Sequence, residues 1–382
     1  MKKNTAESWP AFDRDEAEKG FDEDDWSVFN RLTSIDLSDE ELARAAAPDR
    51  AYPEIKEFLA VHWHPEWAPM EAIAKRLAAA FPRAENSLVI PTQHNRVMTF
   101  GEWAGVEADV YDRRYMAKVQ LLIHFKADKL PRAAAFVAMM NRTYDYRALQ
   151  LLDILGRLTE PDKAALKVQA SLACSVRPEA VAMARFFAAR LRALINGSGL
   201  IGARRGEMLK NRLLHDFMSE RLGATHRALA EQANLYIEAI KKTVKAQMRP
   251  EQFYSPQEVI EEARSLGGGV VIPHPPLFWP ILISGLDVDG WEVWNSSTPH
   301  HTLFLLEALA RANEGAGRRR LLAFMGDDTH MSAKLRTTAG REKAAREIGF
   351  QPPWFEPEAR ALLKKTGQSL AGVINEYRAR LS

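Results

Sequence analysis

Seven short apolar runs set the tightest limit on what this chain can fold into. They are IKEFLAVH (55–62), NSLVIPTQH (86–94), GVEADVY (105–111), AKVQLLIHF (117–125), GGVVIPH (268–274), GWEVWNS (290–296) and RRLLAFMG (319–326). Each has the length and apolar character of a strand. The later ones are separated by helical patterns, as in folds that alternate strand and helix. Between the fourth and fifth runs, roughly 131–265, the pattern changes. AAAFVAMMNRTYDYRALQLLDILGRL, RPEAVAMARFFAARLRALI and HRALAEQANLYIEAIKKTVKAQ space their apolar residues three and four apart, so this region reads as a large helical insertion. The glycines of INGSGLIG break it, and SPQEVIEEARSLGGG reads as a short helix with Pro256 near its start.

The flanks differ from the middle. Residues 1–52 are acidic and broken, and read as an N-terminal extension with a flexible beginning and one short helix, started by Ser38 with Glu41 three residues on. Residues 53–340 form the main unit, and 341–382 a polar helical tail interrupted at QPPWFEPEAR. The 52 basic and 50 acidic residues leave a formal charge of +2, which argues against nucleic-acid binding through bulk charge. A lone Cys174 excludes an intrachain disulfide and a cysteine-rich zinc site, and reads as a buried structural thiol. The first twenty residues lack an apolar core and no stretch has the length of a membrane span, so the expected location is cytoplasmic, with no membrane partner.

The chemistry lies in the histidines. Of ten, His62, His64, His94, His124, His274 and His330 fall in or just after strand candidates; His215, His226, His300 and His301 do not. Residues two apart on a strand face one side, so HWH directs two imidazoles into one space and DTH pairs Asp328 with His330. Where strands alternate with helices around a barrel, their carboxyl ends share a face. Imidazoles and carboxylates converging there make a ligand set for Zn²⁺, Mn²⁺ or Fe²⁺. Taken singly, each histidine also fits a strand end or a packed core. Together they are hard to explain as packing, because every buried imidazole needs hydrogen-bond partners of its own.

VHWH, IPTQHNR, GVEADV, GGGVVIPHP, GWEVWNS and MGDDTH, in that order over roughly 55–340, resemble the motifs of the PHP (polymerase and histidinol phosphatase) family. The resemblance implies an α/β fold: a distorted seven-stranded (β/α) barrel with a trinuclear metal site, here carrying the large helical insertion and the N-terminal extension. It implies His62 and His64 on one metal with Asp328, Glu107 bridging two metals, His274 on the second, and His94 and His330 on the third. It adds His124, with Gln120 as the alternative register. Two departures fall near the third metal. Gln93 stands where the family has aspartate, and the loop after the first motif lacks its usual acidic residue, for which Glu66 is a substitute.

A site of two or three divalent ions about 3.5–4 Å apart suits phosphate-ester hydrolysis. Glu107 would set the spacing, Asp328 bind metal and orient water, and His330 or His94, if not fully engaged by metal, protonate the leaving group. Arg96 and Arg336 are the candidate phosphate-binding guanidiniums. The expected activity is therefore a metal-dependent phosphoesterase acting on a small phosphomonoester, a nucleotide or a nucleic-acid end. The helical insertion is expected to cover the barrel mouth, and its basic runs GARRGEMLKNR and EAIKKTVKAQMR to be solvated faces. Two alternatives stand beside it: a catalytically degenerate binding module, and a metal hydrolase acting on a non-phosphate bond.

Overall fold

A computed structural model of the chain describes residues 8–200, 208–247, 249–315, 319–335 and 342–381. These divide into two compact units: a helical one from Met1–Asp36 and Asp145–Arg249, and a sheet-containing one from Leu37–Tyr144 and Pro250–Ser382. Among the described residues no helix is long and apolar enough to cross a membrane.

The N-terminal stretch carries three helices rather than one, Arg14–Lys19, Glu23–Thr33 and Asp39–Ala46, and it is shared between the units. Each starts on a side-chain cap, from Asp13, Asp22 and Ser38, the last two as capping boxes with Asp25 and Glu41. Phe29 is fully buried in the helical core with Leu155, Phe187, Leu191, Phe217 and Tyr236. Asp25, also buried, is paired by Arg190 at 2.9 Å and Arg221 at 2.6 Å. That apolar and ionic burial is why 8–36 belongs to the helical unit instead of forming a separate extension. Cys174 corrects another expectation: it is exposed. The run EAIKKTVKAQMR lies mostly on the helix Arg227–Ala246, where Lys242 and Lys245 are exposed; much of GARRGEMLKNR falls outside the described residues.

The strands of the other unit are β1 (Glu57–Ala60), β2 (Trp63–His64), β3 (Asn86–Val89), β4 (Met98–Phe100), β5 (Trp103–Asp112), β6 (Ala117–Lys126), β7 (Gly269–Ile272), β8 (Gly290–Asn295), β9 (Leu322–Gly326) and β10 (Thr329–His330). All seven sequence-read runs contain a strand. The third and fourth form a ten-residue antiparallel hairpin, Trp103 opposite Lys126 through Asp112 opposite Ala117, and β4 pairs onto its outer edge. The described ladders make three sheets: β1 with β3, β2 with β10, and six strands in the order β4-β5-β6-β7-β8-β9.

Single hydrogen bonds link these sheets. Glu107 donates to the Gln93 carbonyl at 3.1 Å, Asn95 to that of Glu107 at 2.8 Å, and Asp328 to that of His62 at 3.0 Å, while Ile90, donating to Ala60 at 2.8 Å, extends the β1–β3 pairing. Between β1 and β9 a side chain does the work of a ladder. The Nε2 of fully buried Gln351 donates to the carbonyls of Leu59 and Met325, both at 2.6 Å, and its Oε1 accepts from Trp354 at 2.9 Å. The helix Pro256–Ser265, capped by Ser255 and Glu258, buries Val259, Ile260 and Ala263 on the sheet. The C-terminal helix Leu370–Arg380 buries Val373, Ile374 and Tyr377 in the same core, so the tail is part of this unit and not an appendage.

Candidate metal centre

His62 follows β1 and His64 ends β2, with Trp63 between them. The two histidines are buried, and β2 pairs in parallel with β10 so that His64 lies opposite His330. His64 stacks on His330 at 4.2 Å between ring centres and on His94 at 4.4 Å, while His62 lies 5.6 Å from His274. Five imidazoles from the ends of four chain segments thus surround two carboxylates.

Glu107 faces two ways. Its Oε1 is 3.4 Å from His274 Nε2 and 3.7 Å from His62 Nε2; its Oε2 is 2.5 Å from His94 Nδ1 and 3.6 Å from His64 Nε2. Asp328 Oδ1 is 3.1 Å from His330 Nε2, 3.3 Å from His64 Nε2 and 3.9 Å from His62 Nε2. Two groups of ligand atoms, His62–His64–Glu107 and His64–His94–His330, each lie within 4.8 Å of one another. Ligand atoms about 2.1 Å from one tetrahedral ion sit about 3.4 Å apart, so these spacings suit a metal. The residues pass a second test. His62 Nε2 and both ring nitrogens of His64 are buried without a hydrogen-bond partner among the described residues, an expensive state that a cation relieves.

The electrostatics favour ligation. Burial, with His330 and His94 adjacent, holds His64 well below the ordinary histidine range, so it is neutral and its lone pair available. Burial alone would raise Glu107 and Asp328, but their imidazole neighbours outweigh it and keep both ionised. At His62 burial opposes the proton, yet the Glu292 carboxylate, together with Glu107 and Asp328, outweighs it and raises the pKa to about 10. The same negative surroundings that favour a proton there favour a cation.

The backbone is bent to make this arrangement. Among described non-glycine residues, six have positive φ, and four of these are Glu66 (55°), Asn95 (50°), His274 (30°) and Asp328 (49°), all at the site. Asn95 stays in that conformation because its amide brackets Asp109: Nδ2 donates to Oδ2 at 2.8 Å, and Oδ1 accepts the Asp109 N–H at 2.7 Å. This holds the loop carrying His94 against Glu107. Asp327 shapes the last turn by accepting the N–H groups of Thr329 at 3.1 Å and Gly349 at 3.0 Å.

His124 corrects the expected ligand set. Its Nε2 is 3.0 Å from the Val61 carbonyl and its Nδ1 is 2.7 Å from the Tyr377 hydroxyl. Burial depresses its pKa to about 3, so it is neutral, with Nε2–H donating to the carbonyl and Nδ1 accepting from the phenol. Both nitrogens are committed; it is a satisfied core histidine. Gln120 lies opposite Asp109, two positions along from Glu107 on β5. Arg96 is half-buried two residues beyond His94, its N–H toward the Gln93 carbonyl at 3.4 Å. Arg336 lies outside the described residues. His300 and His301 stand apart from the metal-binding groups, in a turn beside Trp279.

Three residues join the site that were not singled out as functional. Glu292 in GWEVWNS binds His62 Nδ1 at 2.6 Å through Oε1 and accepts from the His274 N–H at 2.7 Å and Asn295 Nδ2 at 3.0 Å through Oε2. Its carboxylate orients the ring and leaves Nε2 for a metal. Gly326 makes room for the pair: a Cβ there would lie 2.0 Å from Glu292 Oε1 and 2.8 Å from His62 Nδ1. Arg346, from the polar stretch REKAAREIGF, reaches Asp328 Oδ2 at 2.9 Å. An acidic residue inside an apolar strand was the available signal for Glu292; nothing local marks Arg346. Glu66, weighed as the substitute acid, is buried with Oε1 3.5 Å from His330 Nδ1, and its N–H donates to Gln93 Oε1 at 3.0 Å.

No protein-family model matches the chain, and no curated protein matches it. Among solved structures, a protein from Bifidobacterium adolescentis, provisionally described as a metal-dependent phosphoesterase, is similar over 85% of this chain and 99% of its own, at 14% identity and a TM-score of 0.40. That likeness is too loose to carry an argument about fold or activity. What the chain itself presents is a buried histidine–glutamate cluster of a kind that binds metal.

Proposed function

We propose that this protein is a metal-dependent phosphoesterase of the PHP type, built on a distorted seven-stranded barrel with two or three Zn, Mn or Fe ions. The observation that carries the reading is Glu107, a buried carboxylate whose two oxygens face four imidazoles, Oε1 those of His274 and His62 and Oε2 those of His94 and His64. A carboxylate so placed is suited to bridge two ions. The barrel reading is supported by two connections outside the ladders: the bonds of Glu107 and Asn95 between β5 and the segment after β3, and the Gln351 side chain between β1 and β9.

Metal ions bound there supply charge for the phosphoryl oxygens and acidify water. The residues supply the rest. His62, His64 and Asp328 would hold one ion, His274 with Glu107 a second, and His94 with His330 a third, near which Glu66 would stand in for the acid missing from the loop after the first motif. His94 and His330 are the more open imidazoles, with side chains 20% and 15% exposed against 1% or less for His62 and His64, so a ring not fully engaged by the third ion is suited to pass a proton to a leaving group. Among substrates we favour a nucleotide. The segments leaving His274 and Ser297 carry exposed Trp279 and Phe304, ring centres 5.4 Å apart, with His301 5.1 Å from Trp279. The rings meet edge to face, at 90° and 89°, so a planar base would stack on the exposed side of a single ring and not between them.

Metal content by plasma mass spectrometry, on protein purified without chelator, tests the reading. Two or three equivalents per chain, with hydrolysis of nucleoside monophosphates or p-nitrophenyl phosphate lost on chelation, is the expected result. Less than one equivalent after reconstitution would leave a binding module. Equal metal-dependent cleavage of a carboxylic ester would point to another bond.

A further inference from the structure

Asp328 gives its two oxygens different work. Oδ1 faces the imidazoles of His330, His64 and His62 at 3.1, 3.3 and 3.9 Å. Oδ2 faces away from them, to Arg346 Nη1 at 2.9 Å and Ser297 Oγ at 3.5 Å. The same Nη1 donates to the Asp328 backbone carbonyl at 3.2 Å, and Nη2 donates to Ser297 Oγ at 3.1 Å. One guanidinium therefore grips the side chain and the backbone of a residue held at φ 49°, where non-glycine residues seldom sit.

The grip is anchored. Arg346 is 9% exposed, and the next residue, buried Glu347, is clamped by Arg76 through Nε at 2.5 Å and Nη2 at 2.7 Å, with Lys334 at 3.7 Å. Arg76 is tied in turn to the Arg44 carbonyl at 2.9 Å. The short segment 346–347 is thus fixed by groups that have no part in the metal cluster.

Resting on the metal reading above, we infer that Arg346 is a positioning residue that keeps Asp328 a one-oxygen ligand. A carboxylate with both oxygens free can take a cation with one or with both. With Oδ2 committed to the guanidinium, only Oδ1 is offered, and one coordination position stays open to a phosphoryl oxygen. This is a different task from the direct phosphate contact expected of Arg96 and Arg336.

The test uses the full chain loaded with Co²⁺, whose visible absorption reports coordination number and geometry. Wild type, Arg346→Gln and Arg346→Lys are compared for Co²⁺ stoichiometry, spectrum and binding of inorganic phosphate to the loaded protein. The expected result is unchanged stoichiometry in Arg346→Gln, a weaker d–d band as coordination rises, and phosphate binding reduced roughly 10- to 100-fold. Arg346→Lys, which keeps the charge but not the fork, should fall between. Because the spectrum is read before phosphate is added, a direct phosphate contact would not move it. An identical spectrum in Arg346→Gln overturns the inference, as does loss of Co²⁺ together with a lowered melting temperature, which would mark a purely structural residue. A wild type that binds no Co²⁺ sinks the metal reading itself, and this inference with it.

Discussion

Replacing Glu292 by Gln should weaken metal binding although neither residue would touch the metal. All three groups on the Glu292 carboxylate are donors: the His62 ring N–H at Nδ1, the His274 backbone N–H and the Asn295 amide. Glutamine offers one oxygen that accepts and an NH₂ that only donates. If its oxygen turns to His274 and Asn295, two bonds survive and its NH₂ meets His62 Nδ1. His62 must then move its proton to Nε2, the atom that lies 3.7 Å from Glu107 and 3.9 Å from Asp328 and would hold the metal. If the oxygen turns to His62 instead, the two loop donors lose their acceptor and His274 is displaced. Either way the expected loss in affinity is roughly 10- to 100-fold, or about 1.4–2.7 kcal/mol, measured by competition against a chelator of known affinity. A second readout needs no metal. In metal-free wild type burial opposes the His62 proton, but Glu292, together with Glu107 and Asp328, outweighs it and raises the pKa from 6.5 to about 10. The folded state then keeps a proton that the unfolded state releases. The stabilisation is complete below about 6.5 and declines as pH rises toward 10. Glu292→Gln should flatten that decline in urea denaturation. Unchanged metal affinity together with an unchanged alkaline slope would refute the orienting role.

The remaining predictions concern the supports around this pair. Gly326→Ala inserts a Cβ 2.0 Å from Glu292 Oε1 and should weaken metal binding as Glu292→Gln does, by the same chelator competition. His124→Gln should leave metal stoichiometry intact while lowering stability by roughly 1–3 kcal/mol, whereas His274→Gln should lose one equivalent with little change in folding; mass spectrometry and thermal denaturation separate the two. Gln351→Leu strips acceptor or donor partners from Leu59, Met325 and Trp354 and should cost roughly 2–4 kcal/mol in chelator-treated protein; a loss below 1 kcal/mol would show that β1 and β9 are joined by other means. Asp328→Ala should abolish phosphoesterase turnover, and turnover that survives it would move the site elsewhere.

What could be read from the sequence, and what could not, divides by distance along the chain. His62, His64, His94, Glu107, His274, Asp328 and His330 were legible because each sits in or at the end of a short apolar run, and the end of a buried strand is a local pattern. The same pattern misled at His124. A histidine in LLIHF looks alike whether its ring faces a metal or a phenol, and what decides is Tyr377, 253 residues further on. Arg346 was illegible for the same reason. Its sequence neighbours describe only a polar helix, and it meets Asp328 because Arg76, 271 residues before Glu347, holds that segment in place. The strand pairing behaves alike: the runs were visible, but the long β5–β6 hairpin and the Gln351 link between β1 and β9 depend on which segments meet. The candidate ligands therefore lie where strands stop, while the groups that hold them come from segments distant in the chain. Metal binding should consequently survive many changes in the tail but not at Glu347 or Gln351, which hold the strands and segments that carry the site, while a change at Arg346 should alter how the metal is coordinated rather than whether it binds.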